Sequence, residues 1–122
     1  MKPQSFVLTA MLVALLTVNV TSAMGQSKSK EKTVKGEVVD VWCYLDDGSH
    51  GAGHKACATT CAKAGNPIGI LDAKGNLYVA MGSNDHQPGR ELLIDKMSET
   101  VTVTGKLVKK GGTQVLYISS VK

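Results

Sequence analysis

The sequence predicts a mainly β fold, a small barrel of five short strands, and three observations predict it. Short β-branched and aromatic runs recur along the chain, separated by Gly, Pro, Asn and Asp. Clear period-two alternation appears near the carboxy terminus, where Val101, Val103 and Leu107 face one way and Thr100, Thr102, Thr104 and Lys106 the other. Helical signals occur in only two places, after the first strand and between the third and fourth. Five strands in that order fit a Greek-key barrel of OB type, whose closure removes exposed edges. An immunoglobulin-like sandwich is the rival, but it needs about seven strands.

Each element has its own warrant. Residues 33–45, from Thr33 to Leu45, read as the first strand, with Val39, Val41 and Cys43 on one face and Val34, Val38 and Trp42 on the other. Apolar residues on both faces imply partial burial on both sides or a bulge at Gly36. Residues 46–53 form a loop with three glycines. The spacing predicts a helix over 54–64, stopped by Gly65 and Pro67. Residues 68–71 and 77–81 are the second and third strands, joined by a turn from Asp72 to Asn76. Pro88 opens a further helical turn, with Leu93 and Met97 four residues apart on one face. Residues 100–108 and 115–121 are the last two strands, joined across Lys109, Lys110, Gly111 and Gly112.

The amino terminus carries a different kind of signal. Lys2 precedes an apolar run over residues 6–20, broken only by Thr9, Thr17 and Asn19, and small residues follow, among them Ala23 and Gly25. That run is short for a membrane span and reads as a cleaved signal peptide over residues 1–25. A flexible basic linker is expected over 26–32 and the barrel domain over 33–122. The expected location is periplasmic or extracellular. The first cysteine, Cys43, lies far beyond the signal, so neither lipidation nor stable membrane anchoring is expected.

Composition narrows the partners. The whole chain has a formal charge of +4, yet from Thr33 onward ten basic residues face nine acidic ones. Aromatic residues make up only 4% of the chain. Neither a basic groove nor a stacking platform is indicated, so no nucleic-acid partner is expected. Gly48, Gly51 and Gly53 lack the Lys and Ser or Thr spacing of a phosphate-binding loop. No carboxylate pair and no nucleophile with a base can be identified, so no catalytic residues are assigned and an enzyme is not the favoured reading.

The chemistry concentrates in Cys43, His54, Cys57 and Cys61. The last three read H-x-x-C-x-x-x-C and, at about 100° per residue, fall within an arc of about 60° on one helix. The glycine-rich loop is long enough to fold that helix over Cys43. Three thiolates and an imidazole satisfy tetrahedral zinc, with copper or iron as other candidates. Three cysteines cannot all pair within one oxidised chain. A Cys57–Cys61 bridge within one helical turn has poor geometry, whereas Cys43 can reach either. Three readings therefore stand: a metal centre with a structural, carrier or sensor role; a disulfide-stabilised ligand- or protein-binding module; and a thiol- or metal-dependent redox enzyme. His50 can complete or replace a ligand but reads first as a loop histidine. His86 reads as a surface residue, and Met81 and Met97 read as core. Trp42, Tyr44, Tyr78 and Tyr117 read as packing.

The strings from Gly36 to Leu45, G-H-x-x-C-A-x-x-C over residues 53–61, and G-x-P-I-G-I-L over 65–71, with Leu77 and Tyr78, resemble a group of small exported bacterial proteins. The resemblance covers roughly residues 34–80. It implies the same small barrel and a shared Cys/His cluster, and it implies no activity.

Overall fold

The computed structural model describes residues 30–122. The expected signal peptide and most of the expected linker lie outside the described residues. Five strands form one closed barrel in the order β1-β2-β3-β5-β4, with β4 returning to pair with β1. The strands are β1 (Glu31–Asp40), β2 (Ile68–Asp72), β3 (Leu77–Gly82), β4 (Thr100–Lys110) and β5 (Thr113–Val121). All neighbours are antiparallel except β3 and β5, which run parallel. This is the predicted mainly β barrel, with short helices between strands. Glu31 and Lys32 belong to β1, so the strand begins inside the segment expected to be linker. The ammonium of Lys32 donates to the Tyr78 hydroxyl at 2.9 Å.

Alternation fills the barrel. Val34 and Val38 of β1, Ile68 and Ile70 of β2, Tyr78 and Ala80 of β3, Val101 and Val103 of β4, and Leu116 and Ile118 of β5 form one buried cluster. Gly36 sits where β1 passes from β4 to β2 and pairs with both. A Cβ there would collide with the Leu71 carbonyl, so a bare backbone is needed for the close approach. Of the two readings of β1, the structure bears out partial burial on both sides, with Val38 and Val39 both buried, and β1 pairs through Gly36 without a bulge. The register shifts instead between Thr104 and Gly105 in β4. The turn at Gly111 and Gly112 has positive φ at both residues, the requirement of a tight type I′ hairpin.

One element differs from expectation. The first strand stops at Asp40, and residues read as its continuation form the helix α1 (Val41–Asp47). Asp40 is the N-cap, with extended φ and ψ, and its Oδ1 accepts from the Cys43 N–H at 2.8 Å. Gly48 closes the helix at φ 77°, its N–H donating to the Tyr44 carbonyl. A capping carboxylate and a left-handed glycine thus override the weak strand propensity of Val41, Trp42 and Tyr44.

The predicted helix over 54–64 is present as α2 (Lys55–Lys63), entered through a 3-10 turn at Ala52–His54. Ala58 and Ala62 are its buried residues, and it packs on β1 and on the turn at Ile94–Lys96. The helical turn after Pro88 is α3 (Arg90–Leu93) with a following 3-10 turn at Ile94–Lys96, and it delivers Leu93 and Met97 to the core. Met81, expected in the core, is exposed. Among the described residues no helix is long and apolar enough to cross a membrane.

Candidate metal centre

Three short segments bring the cluster together. Asp40 starts α1 in a fixed direction, which places Cys43 in its first turn. A loop of residues 48–51 then returns the chain to β1. There the Glu37 carboxylate receives the Gly51 N–H, and its Oε2 lies 2.9 Å from Nδ1 of His50. Tyr44 meets the His50 ring edge-on, with centroids 5.9 Å apart. Next, the 3-10 turn ends at His54 and α2 begins, so that His54 and Cys57 flank the start of one helix.

One donor atom each from Cys43, His54 and Cys57 lies within 4.8 Å of the other two. Cys43 and His54 are half-buried and Cys57 is exposed. Cys61, one turn further along α2, is half-buried. Its thiol lies against those of Cys57 and Cys43, but it does not belong to the three-donor group. All three cysteines are free thiols, with no sulfur bridged to another.

The electrostatics of the cluster are strained. Burial pushes the Cys43 thiol up to about 12, and the adjacent Asp40 carboxylate and Cys61 push in the same direction. Cys61 is also raised, first by burial and then by the neighbouring Cys57. Among the described residues, two buried side-chain polar atoms lack a hydrogen-bond partner: Nε2 of His54 and Oδ2 of Asp40. Both belong to residues at this cluster. A buried nitrogen left without a partner carries a desolvation cost of about 1–3 kcal/mol unless something else binds it. Asp40 is only 1% exposed and no salt bridge reaches it among the described residues.

His50 is held by Glu37 and lies outside the three-donor group. His86, beside Asp85, is almost fully exposed, as expected. Trp42 and Leu45, read as part of a strand, stand 67% and 68% exposed on α1. Sequence reasoning missed Asp40 and Glu37. The signal for Asp40 was its place three residues before Cys43, the spacing at which an N-cap carboxylate reaches a backbone N–H. Glu37 left no comparable trace, since a loop folding back onto β1 is a tertiary event. Comparison with family models, curated proteins and solved structures gives no match.

The donor set suits a borderline to soft cation. Thiolate sulfur and imidazole nitrogen are the ligands of zinc and of copper in its reduced state, whereas hard cations take oxygen. What the described geometry establishes is a Cys43/His54/Cys57 group able to hold a metal ion.

Proposed function

We propose that this chain is an exported metal-binding domain, in which Cys43, His54 and Cys57 hold one zinc ion and Cys61 is the fourth donor within reach. The convergence of a His54 ring nitrogen with the Cys43 and Cys57 sulfurs within 4.8 Å is the observation that carries the reading, and among the described residues the buried Nε2 of His54 has no hydrogen-bond partner. Polar atoms are rarely buried without a partner, and an ion with nitrogen and sulfur ligands supplies one. The apolar run at residues 6–20 supports export.

The barrel supplies the anchor. β1 ends at the cap of α1, so one ligand is anchored directly to the barrel, while α2 is held to it by little more than two alanines. An ion bound across α1 and α2 ties the inserted segment down. Its binding free energy then adds to folding, because the unfolded chain has no preformed site.

The test is elemental analysis with a free-thiol count on mature protein, followed by zinc titration of the reduced form. One equivalent of zinc should bind and raise the melting temperature. At a free zinc concentration 100 times the Kd the gain is about 2.7 kcal/mol. Cys57→Ser should abolish most of that gain. A protein that binds no zinc and contains one disulfide would overturn the proposal in favour of the disulfide-stabilised module.

A further inference from the structure

The ion at this centre is cargo: we infer that it is taken up and handed on by direct exchange with incoming thiolates, through the exposed side of the site at Cys57. This rests on the metal-binding reading and specifies what the bound ion is for.

A structural zinc site is closed, with four fixed ligands around the ion. Here the donors are unequal. Cys43 and His54 are half-buried, the first fixed by the Asp40 cap and the second at the junction of the 3-10 turn with α2. Cys57 is exposed, so one flank of the three-donor group opens to solvent. Cys61 lies against two of the sulfurs yet outside the group. The arrangement is therefore three convergent donors and a fourth that can enter or leave. It provides a vacant approach for an external ligand and a reserve ligand for the return.

The exchange needs no change of oxidation state. An incoming thiolate forms a new sulfur–metal bond beside those to Cys43, His54 and Cys57, giving a four-coordinate intermediate. The bond from the metal to Cys57 then breaks, and Cys57 departs as a thiolate and takes a proton from water. As a second thiolate of the acceptor binds, the bonds from the metal to His54 and Cys43 break, His54 leaving as neutral imidazole and Cys43 as a thiolate that takes a proton from water, so that two acceptor thiolates replace the two of the protein. The acceptor class is thus a thiolate-bearing molecule able to offer two sulfurs, and the cargo class is a thiophilic cation.

Cobalt(II) loaded into the reduced protein gives a sulfur-to-metal absorption band by which transfer can be followed. Stopped-flow mixing with increasing dimercaptosuccinate should give a rate of band loss that rises linearly with dithiol concentration. Cys61→Ser should still bind one cobalt, more weakly than wild type, and keep the linear dependence. A rate that is flat in dithiol concentration means unassisted release from a closed site and overturns the inference, even though the protein binds metal. Loss of cobalt binding in a folded Cys61→Ser protein overturns it too, since Cys61 is then a fixed fourth ligand. Failure of the wild-type protein to bind cobalt or zinc removes the metal-binding reading itself. The outcomes are separable because stoichiometry tests the site and concentration dependence tests the exchange.

Discussion

The barrel and the helical segment inserted between β1 and β2 are built on different principles. In the barrel, every strand contributes buried apolar side chains to one cluster, and the ladder closes so that no edge is left. In the insert, two short helices bury only Val41, Ala58 and Ala62. The insert also holds His54, whose Nε2 has no hydrogen-bond partner among the described residues, and it follows Asp40, whose Oδ2 has none among them either. A segment with so little apolar burial needs another source of order. The difference teaches where stability and the candidate site are separated: the barrel strands build the main core, and the insert carries the Cys43/His54/Cys57 group with little apolar burial of its own.

The largest expected effect tests the barrel side of that contrast. Leu116 is fully buried in β5, between strands that close the barrel. Leu116→Ala should cost about 2–5 kcal/mol, combining lost transfer free energy with the cavity left behind. Urea denaturation at fixed zinc reads this directly. The loss should be the same with and without metal, because Leu116 is not part of the insert. A loss below about 1 kcal/mol, or one that vanishes on metal removal, would show that the barrel does not carry stability independently.

A smaller effect sharpens the boundary between the regions. Asp40 is both the last residue of β1 and the cap of α1, and its buried Oδ2 has no hydrogen-bond partner among the described residues. Asp40→Ala removes the cap and should cost about 0.5–2 kcal/mol. Asp40→Asn keeps an oxygen that can accept from the Cys43 N–H and removes a buried charge with no salt-bridge partner. The Asn variant should therefore be the more stable of the two in the metal-free protein. Amide exchange at Cys43 is the local check, fast in the Ala variant and slow in the Asn variant. Equal exchange in both would mean that the cap does not set the start of α1.

Much of this architecture was legible in the sequence, and the exceptions have physical causes. β4 announces itself because one face is buried and the other is not, which produces alternation. α2 is legible from its stop, with Gly65 taking a left-handed φ just before Pro67. α1 was hidden because Val41, Trp42 and Tyr44 have strand propensity, and propensity loses to caps visible only as one Asp and one Gly. At the site, the spacing pointed to Cys43, His54, Cys57 and Cys61, of which the structure brings the first three together and leaves Cys61 outside the three-donor group. The assumption of one continuous helix misplaced its geometry. His54 precedes α2 at the end of a 3-10 turn, so the angle per residue of an α-helix does not relate it to Cys61. The meeting of Cys43 with α2 is a long-range contact that no local pattern encodes.

The smallest expected effect concerns the surface tie between the two regions. Lys55 opens α2, and its ammonium donates to the Glu99 carboxylate at 2.8 Å, just before β4. The Lys55 hydrogen bond, then its charge, hold the Glu99 carboxyl below its ordinary value. Both side chains are about half exposed, with relative accessibilities of 50% and 45%, so water and salt screen the pair. The sign follows from linkage. A carboxyl whose folded pKa lies below its unfolded value, about 4.3 for Glu, contributes stability that is present above that value and lost as pH falls through the folded pKa. Glu99→Gln should therefore melt slightly below wild type near neutral pH, and the gap should close once the pH falls well below about 4. Added salt should shrink it at neutral pH, because exposed charges are screened within about 10 Å at 0.1 M. Melting curves of the two proteins from acid to neutral pH at low and high salt measure both trends. A gap that persists undiminished at low pH and high salt would mean that Glu99 holds α2 by packing, and that the insert is attached to the barrel more firmly than its few buried alanines indicate.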